Sequence, residues 1–366
     1  MKKEVSLRQI AYMFLFISLS PILRQIPNAL AKEAGRSGYL SPLWSVIALI
    51  PLTAIIIALI KKFPGLNIYE IMSQLLGVFL SKLLVIFYLL WLLLSITSKV
   101  NIYALTVQFT LMPQTKSNFF MILLIILVYY ALFRGLRTIF RFSEFALGPI
   151  LFLFILLFVC ALSKLRFDYL LPVSTFQVPS TIIGAKDVIA VGGNIVIVLF
   201  FADKFDIAVT KEQKRKLWSG IAVFIALTFI ITLFTYGVNG ADLTSILPFP
   251  FYITVKSISF FNVFERFEVL ITLICILSDF ISVCILAVLL MRCFEWLFNL
   301  KEHTFLYVPL TIMIFYLTYY VSSTQFEFAY LYRNIIVYSN LIFQFLIPVL
   351  LGILCLFKRE KIQKQY

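Results

Sequence analysis

Five ionisable residues lie where an apolar chain has no evident use for charge. The stretch FFADKFDIAV, residues 200–209, follows the apolar run VIAVGGNIVIVLFF and carries Asp203, Lys204 and Asp206. Apolar character resumes with Ile207, Ala208 and Val209 before the basic KEQKRK at 211–216. Lys99 has apolar flanks in LLSITSKVNIYALTV, and Asp279 has them in LICILSDFISVCIL. A charge at the centre of a membrane segment costs about 2.5–3.5 kcal/mol on insertion scales, so it normally faces a protein interior and is paired. The chemistry such residues offer is ion pairing, titration and the holding of a small zwitterion or ion.

Bond-making chemistry finds little support. There is no Gly-rich phosphate loop, no Ser-His-Asp set and no pair of catalytic carboxylates. The single histidine, His303, stands beside Glu302 in a short loop and cannot supply a metal cluster. Cys160, Cys275, Cys284, Cys293 and Cys355 sit in apolar segments without CxxC spacing and read as soft packing residues. The expectation is a protein that is not an enzyme and carries no cofactor and no metal.

The elements that must position these charges are membrane helices. The chain has 366 residues, of which 62% are hydrophobic and 13% charged. A soluble domain cannot hide that much apolar surface. Windows of about 20 apolar residues read as spanning helices. Ten candidates lie near 8–31, 43–60, 83–111, 118–134, 145–163, 186–210, 217–238, 267–294, 304–322 and 334–357. No period-two pattern of short strands is visible, which argues against a β-barrel. With the N-terminus placed in the cytoplasm, Lys and Arg divide about two to one in favour of the inner segments, with Lys99 left over inside a helix. That bias predicts ten helices with both termini inside, and it explains the net charge of +14 without nucleic acid. The competing reading is a signal peptide cleaved after Ala29-Leu30-Ala31, which would leave nine spans.

The chain forms one transmembrane domain that divides into repeats 1–163 and 164–366, with five spans in each. An odd number per half turns the second half upside down, which is the topology of an inverted repeat. The opening span of each half is expected to be discontinuous. In FLFISLSPILRQIP, Pro21 lacks an amide hydrogen, and Ser18 and Ser20 can satisfy freed backbone groups. In the sixth span the charges at 203 and 204 mark the break. Unwound backbone at mid-depth must face protein or a wet cavity, and helix ends aim partial charges there. The bland alternative is that the sixth span simply ends at Phe201, with Asp203 on its solvated edge. The third span of each half carries Lys99 or Asp279, so a Lys99–Asp279 pair is one expectation. Separate bonds from each to backbone or water are the other. Trp44, Trp218 and Trp296 fit interfacial belts. Glu265, Arg266 and Glu268 of FERFE read as a solvated helix cap.

FPGLNIYEIMSQLLG at 63–77, LAKEAGRSGYLS at 30–41, TLMPQTK at 110–116, FRGLRTIFR at 133–141 and FERFE at 264–268 stand in a characteristic order. By these stretches the chain resembles the spore germination permease family, the B subunits of nutrient germinant receptors. That family lies within the amino acid–polyamine–organocation transporter superfamily, and the resemblance spans nearly the whole chain. It implies an all-α integral membrane protein of the five-plus-five inverted-repeat fold, placed in the spore inner membrane. It implies two partners, an A-type membrane subunit and a C-type lipoprotein subunit, and the sensing of a small-molecule germinant, commonly an amino acid. Carried over residue by residue, the ligand-binding positions are Ser18, Leu19, Ser20, Pro21 and Ile22, with Phe200, Phe201, Ala202 and Asp203. The third and eighth spans, with Lys99 and Asp279, line the pocket. The sequence departs from the family's pattern at both breaks: SLSPI and FADK lack the glycines that let backbone approach a ligand. Two other roles stay open at this point. One is a proton- or sodium-coupled transporter of amino acids or other small organic solutes. The other is an ion-conducting or scaffolding subunit with a vestigial pocket.

Overall fold

The computed structural model describes residues 7–171, 177–204, 211–257, 268–300, 304–321 and 324–357. Pro172, Asp206, Glu265, Arg266, His303 and both chain ends lie outside the described residues. Within them the chain is helical, with no strand. Nine helical stretches among the described residues are long and apolar enough to cross a membrane. The first expected span, α1 (Leu7–Arg24), is not one of them. Arg8, Gln9, Ser18, Ser20 and Arg24 dilute its apolar character. It tolerates them because protein rather than lipid surrounds it: Ile10, Met13, Phe14 and Phe16 have no exposed surface. A helix enclosed by other helices needs an interior that satisfies its polar groups, not an apolar exterior.

The chain passes from the face where α1 starts, here the near face, to the opposite or far face and back. Helices α2 (Ile26–Ala34), α3 (Ser41–Trp44) and α4 (Val46–Lys62) follow α1. Next comes α5 (Ile68–Leu76), whose start is fixed by a capping box. The Asn67 side chain accepts from the Glu70 amide at 3.0 Å, and the Glu70 carboxylate accepts from the Asn67 amide at 2.8 Å. Gly77, at φ 89°, turns the chain into α6 (Val78–Thr110), a position only glycine occupies without strain. Then come α7 (Ser117–Arg134) and α8 (Leu136–Ala161).

The sixth span is compound: α9 (Val178–Gly192), a 3₁₀ turn over Gly193–Val196, α10 (Ile197–Phe200), and a second 3₁₀ turn over Ala202–Lys204. Helix α11 (Lys211–Asn239) crosses to the far face, where α12 (Ala241–Ile246) and α13 (Pro250–Lys256) lie. Long α14 (Glu268–Phe298) and α15 (Tyr307–Val321) precede the last span. That span runs through α16 (Gln325–Leu331), α17 (Val337–Asn340) and α18 (Ile347–Phe357), with π-helical segments at Tyr332–Ile336 and Leu341–Leu346.

Apolar side chains such as Phe79, Phe145 and Tyr320 stand outward on α6, α8 and α15, each more than three-quarters exposed, and meet lipid. The core lies where α1 packs against α11 and α14, and where α14 runs along α6. All five cysteines are buried and unpaired with one another.

Candidate functional site

The first span keeps its helix through Ser18, Leu19, Ser20, Pro21 and Ile22, so the expected unwinding there is corrected. Pro21 still has its chemical consequence. Its missing amide leaves the Ile17 carbonyl without an intrahelical donor. Lys99 Nζ, reaching across from α6, donates to that carbonyl at 2.8 Å. Ser278 and Ser282 of α14 donate to the neighbouring Phe16 carbonyl at 2.7 and 3.2 Å. One freed peptide group, the Ile17 carbonyl, lies in this otherwise continuous helix, and the Lys99 side chain of α6 occupies it. The actual interruption falls at Gln25, between α1 and α2, where Pro27 begins the new helix. Even there the Gln25 amide donates to Pro21 O at 2.9 Å and the Ala29 amide to Gln25 O at 3.0 Å.

The sixth span changes its winding twice: at Gly193–Val196, and again where α10 ends at Phe200 and a 3₁₀ turn covers Ala202–Lys204. The first turn begins at Gly193, just after Gly192. Glycine is needed here for close approach: a Cβ on Gly193 would lie 2.7 Å from the Gln344 side chain, and one on Gly192 2.7 Å from Leu49. The Val191 carbonyl at this junction accepts from Asn194 Nδ2 at 2.9 Å and from Ser18 Oγ at 3.4 Å. Gln344 Nε2 donates to Asn194 Oδ1 at 2.9 Å, which ties in the last span. The first, sixth and tenth spans therefore meet at Ser18, Val191, Asn194 and Gln344. The π-helical segments widen the last span beside this meeting point, a distortion often found at functional sites. Tyr88 donates to the Phe343 carbonyl at 2.9 Å and Trp91 to Asn340 Oδ1 at 2.9 Å, which holds the distortion against α6.

Phe200, Phe201, Ala202 and Asp203 are not in that meeting point. They close the near end of the sixth span. Arg292 donates to the Phe200 carbonyl at 2.5 Å and pairs with Asp203 at 2.5 Å. A cation at a helix C-terminus satisfies free carbonyls and the dipole together. The Phe200 ring stacks on Trp296 at 5.7 Å and meets Tyr88 edge-on at 5.5 Å, while Phe201 meets Phe140 at 5.7 Å. Trp296, expected in an interfacial belt, is buried in this seal.

The charges pair differently from the Lys99–Asp279 expectation, which is corrected. The partner of Asp279 is Arg24, whose Nη2 lies 2.7 Å from both carboxylate oxygens. The pair is buried, with 2% and 0% of the side chains exposed. Arg24 also donates to Ser20 Oγ, to Thr106 Oγ1 at 2.6 Å and to the Ile102 carbonyl at 3.3 Å. Such further bonds are what allow a buried ion pair to offset its desolvation.

Two cavities lie along this crossing. The larger, about 290 Å³, lies toward the far face between Arg24–Glu33, Asp187, the Ile246–Phe249 turn and α16. The smaller, about 40 Å³, lies deeper and is lined by Pro21, Lys99, Asn194 and Gln344 among others. Gln25, Ile102, Phe328 and Tyr332 border both and separate them. Of the residues predicted for the site, Pro21 and Lys99 line a cavity. Ser18 and Ser20 bond to its surrounding framework, and Phe200–Asp203 seal the opposite end.

A family model described as "Spore germination protein" matches residues 4–326. The chain belongs to this family. No curated protein matches it. The spore germination proteins are a permease family rather than an enzyme class, and this member is a multi-pass integral membrane protein. The matched span of this spore germination protein holds every cavity-lining residue from α1 to α14, while Tyr332, Asn340 and Gln344 lie beyond it. Sequence reasoning missed Gln25, Asn194 and Gln344 as site residues. The signal was present: each is an amide inside an apolar span, the same anomaly that singled out Lys99.

Proposed function

We propose that this spore germination protein is the ligand-binding membrane subunit of a nutrient germinant receptor. A small solute, amino acid-like, occupies the cavities on the far side of the crossing of the first and sixth spans. The observation that carries this reading is the pairing of two adjoining cavities on the far side with a sealed aromatic end on the near side. In this reading the near face is cytoplasmic, both termini are cytoplasmic, and the membrane is the inner membrane of the spore. The halves 1–163 and 164–366 act as inverted repeats whose relative arrangement the ligand biases. A ligand shifts that balance only by its difference in affinity between the two arrangements. The A-type membrane subunit and the C-type lipoprotein subunit read the shift.

The test is made on spores. Ala29→Trp places bulk in the larger cavity, and Ala202→Trp places it in the seal. Ala29→Trp should raise the nutrient concentration needed for germination while the protein still accumulates. Unchanged nutrient sensitivity in an accumulating Ala29→Trp protein would reject the cavity as the nutrient site. One observation favours coupled transport as a second reading: Arg24, Lys99 and Asp279, all ionisable, lie in spanning helices beside the cavities. Uptake of labelled amino acid by proteoliposomes holding this chain alone decides for it.

A further inference from the structure

Lys99 carries a charge that its surroundings do not cancel. An ammonium has three N–H bonds. One of those of Lys99 goes to the Ile17 carbonyl at 2.8 Å, and no other described group takes the rest. The charged side chains that act on it are Asp279 and Arg24. Arg24 Nη2 already holds both oxygens of Asp279. Among the described residues, two cations and one carboxylate leave this cluster with one positive charge in excess. A charge at this depth is costly until an opposite charge completes it.

The smaller cavity adjoins that excess charge. Lys99 forms part of its wall and is part-buried rather than closed off, so an ion in the cavity can reach it. No described carboxylate lines the cavity. Asn340 adds a donor to the wall. The Trp91 indole can only donate, so its bond fixes the Asn340 oxygen and leaves Asn340 Nδ2 for the cavity. Asn340 closes the short α17, between the two π-helical segments of the last span. The unpartnered acceptors of the wall, Gln25 Oε1 and Gln344 Oε1, are themselves buried and do not face an occupant. A volume of about 40 Å³ takes roughly three water-sized particles, too little for an amino acid.

We propose that the smaller cavity binds a chloride ion between the Lys99 ammonium and the Asn340 carboxamide N–H. The Ile17 carbonyl uses one N–H of Lys99 and the chloride uses another, so the cap on the proline gap and the anion site coexist. Chloride carries the one negative charge that the cluster lacks. Water fills the same space without cancelling the charge. The site does not depend on what the larger cavity holds.

The experiment uses the full chain in lipid nanodiscs and reads the thermal unfolding midpoint as sodium gluconate is replaced by sodium chloride at constant ionic strength. Chloride should raise the midpoint by about 2 °C or more and then saturate, as a ligand of the folded state does. Bromide should do the same. Lys99→Met should abolish the rise. Asn340→Asp should abolish it too, because a carboxylate of the chain then completes the cluster, and its midpoint in gluconate should be at or above that of wild type in gluconate. A flat wild-type midpoint overturns the site, and so does a rise of wild-type size in Lys99→Met or Asn340→Asp. Asn340→Asp melting below wild type in gluconate overturns it as well. Acetate raising the midpoint more than chloride would give the site to a carboxylate and overturn the halide. Should Lys99→Met not accumulate, Asn340→Asp alone decides.

Discussion

Two arginine–aspartate pairs brace opposite ends of the same crossing, and they are not equivalent. Arg24–Asp279 lies toward the far side with 2% and 0% exposure, and its arginine makes further bonds to Ser20, Thr106 and Ile102 while its Nε is buried without a partner. Arg292–Asp203 lies at the near end with 9% and 21% exposure, and its arginine leans on the faces of Phe201 and Trp296 at 5.5 Å. The first is a strut closed off from the surface, with its arginine in the wall of the larger cavity. The second is a latch within reach of water, held partly by rings. The same chemistry therefore has different consequences: breaking the strut strands a charge in the membrane interior, while breaking the latch loosens a door.

The largest effect should follow from Asp279→Ala, which leaves the Arg24 guanidinium buried without its counter-ion. A loss of roughly 3–5 kcal/mol is expected, seen as failed accumulation or a collapsed melting transition in detergent. Replacing both partners, Arg24→Met with Asp279→Leu, should recover most of the stability. If the double variant is no better than the single one, the strut is not an energetic unit.

A smaller effect sharpens the role of Lys99. Lys99→Met removes the donor to the Ile17 carbonyl and should cost about 1–3 kcal/mol. Pro21→Ala restores a backbone amide able to reach that carbonyl, so Lys99→Met should cost far less in a Pro21→Ala background. Additive melting temperatures in this double-mutant cycle would mean that the ammonium serves something other than the proline gap.

The latch should show the smallest change in stability. Asp203→Ala leaves Arg292 its bond to the Phe200 carbonyl and its ring contacts, so the loss should be about 1 kcal/mol or less. The readout lies in accessibility: a cysteine at Ala202 should react faster with a thiol reagent from the near face once Asp203 is gone. An unchanged rate would mean that the aromatic cluster seals the end unaided.

Sequence carried the helices well, because long apolar runs leave few alternatives once lipid is the solvent. It placed the anomalies well too: Pro21, Lys99, Asp279 and the charge at 203 all have specific structural work. What it could not supply was azimuth and reach. Lys99 and Arg24 were equally available to Asp279, and only packing decides that Arg24 meets it while Lys99 caps Ile17. Pro21 signals a missing bond rather than an unwound segment, because a long side chain on a neighbouring helix can fill the gap. Gly192, Gly193 and Asn194 stand uncharged in VIAVGGNIVIVLFF, whereas the charges of FADK mark only the end of the described span. Arg292 is one of the basic residues that the charge count assigns to the inner side, and that count carries no sign of its bond to the Phe200 carbonyl.

The central claim is that the crossing opens to the far face at the larger cavity and is shut at Phe200–Asp203. It is tested by single cysteines at Ala29 and Ala202 in a background without the five native cysteines, labelled with a membrane-impermeant thiol reagent in right-side-out and inverted vesicles. The account predicts that Ala29→Cys reacts from the far face and is protected by L-alanine, while Ala202→Cys does not react from that face. Labelling of Ala202→Cys from the far face, or an unreactive Ala29→Cys, would contradict it.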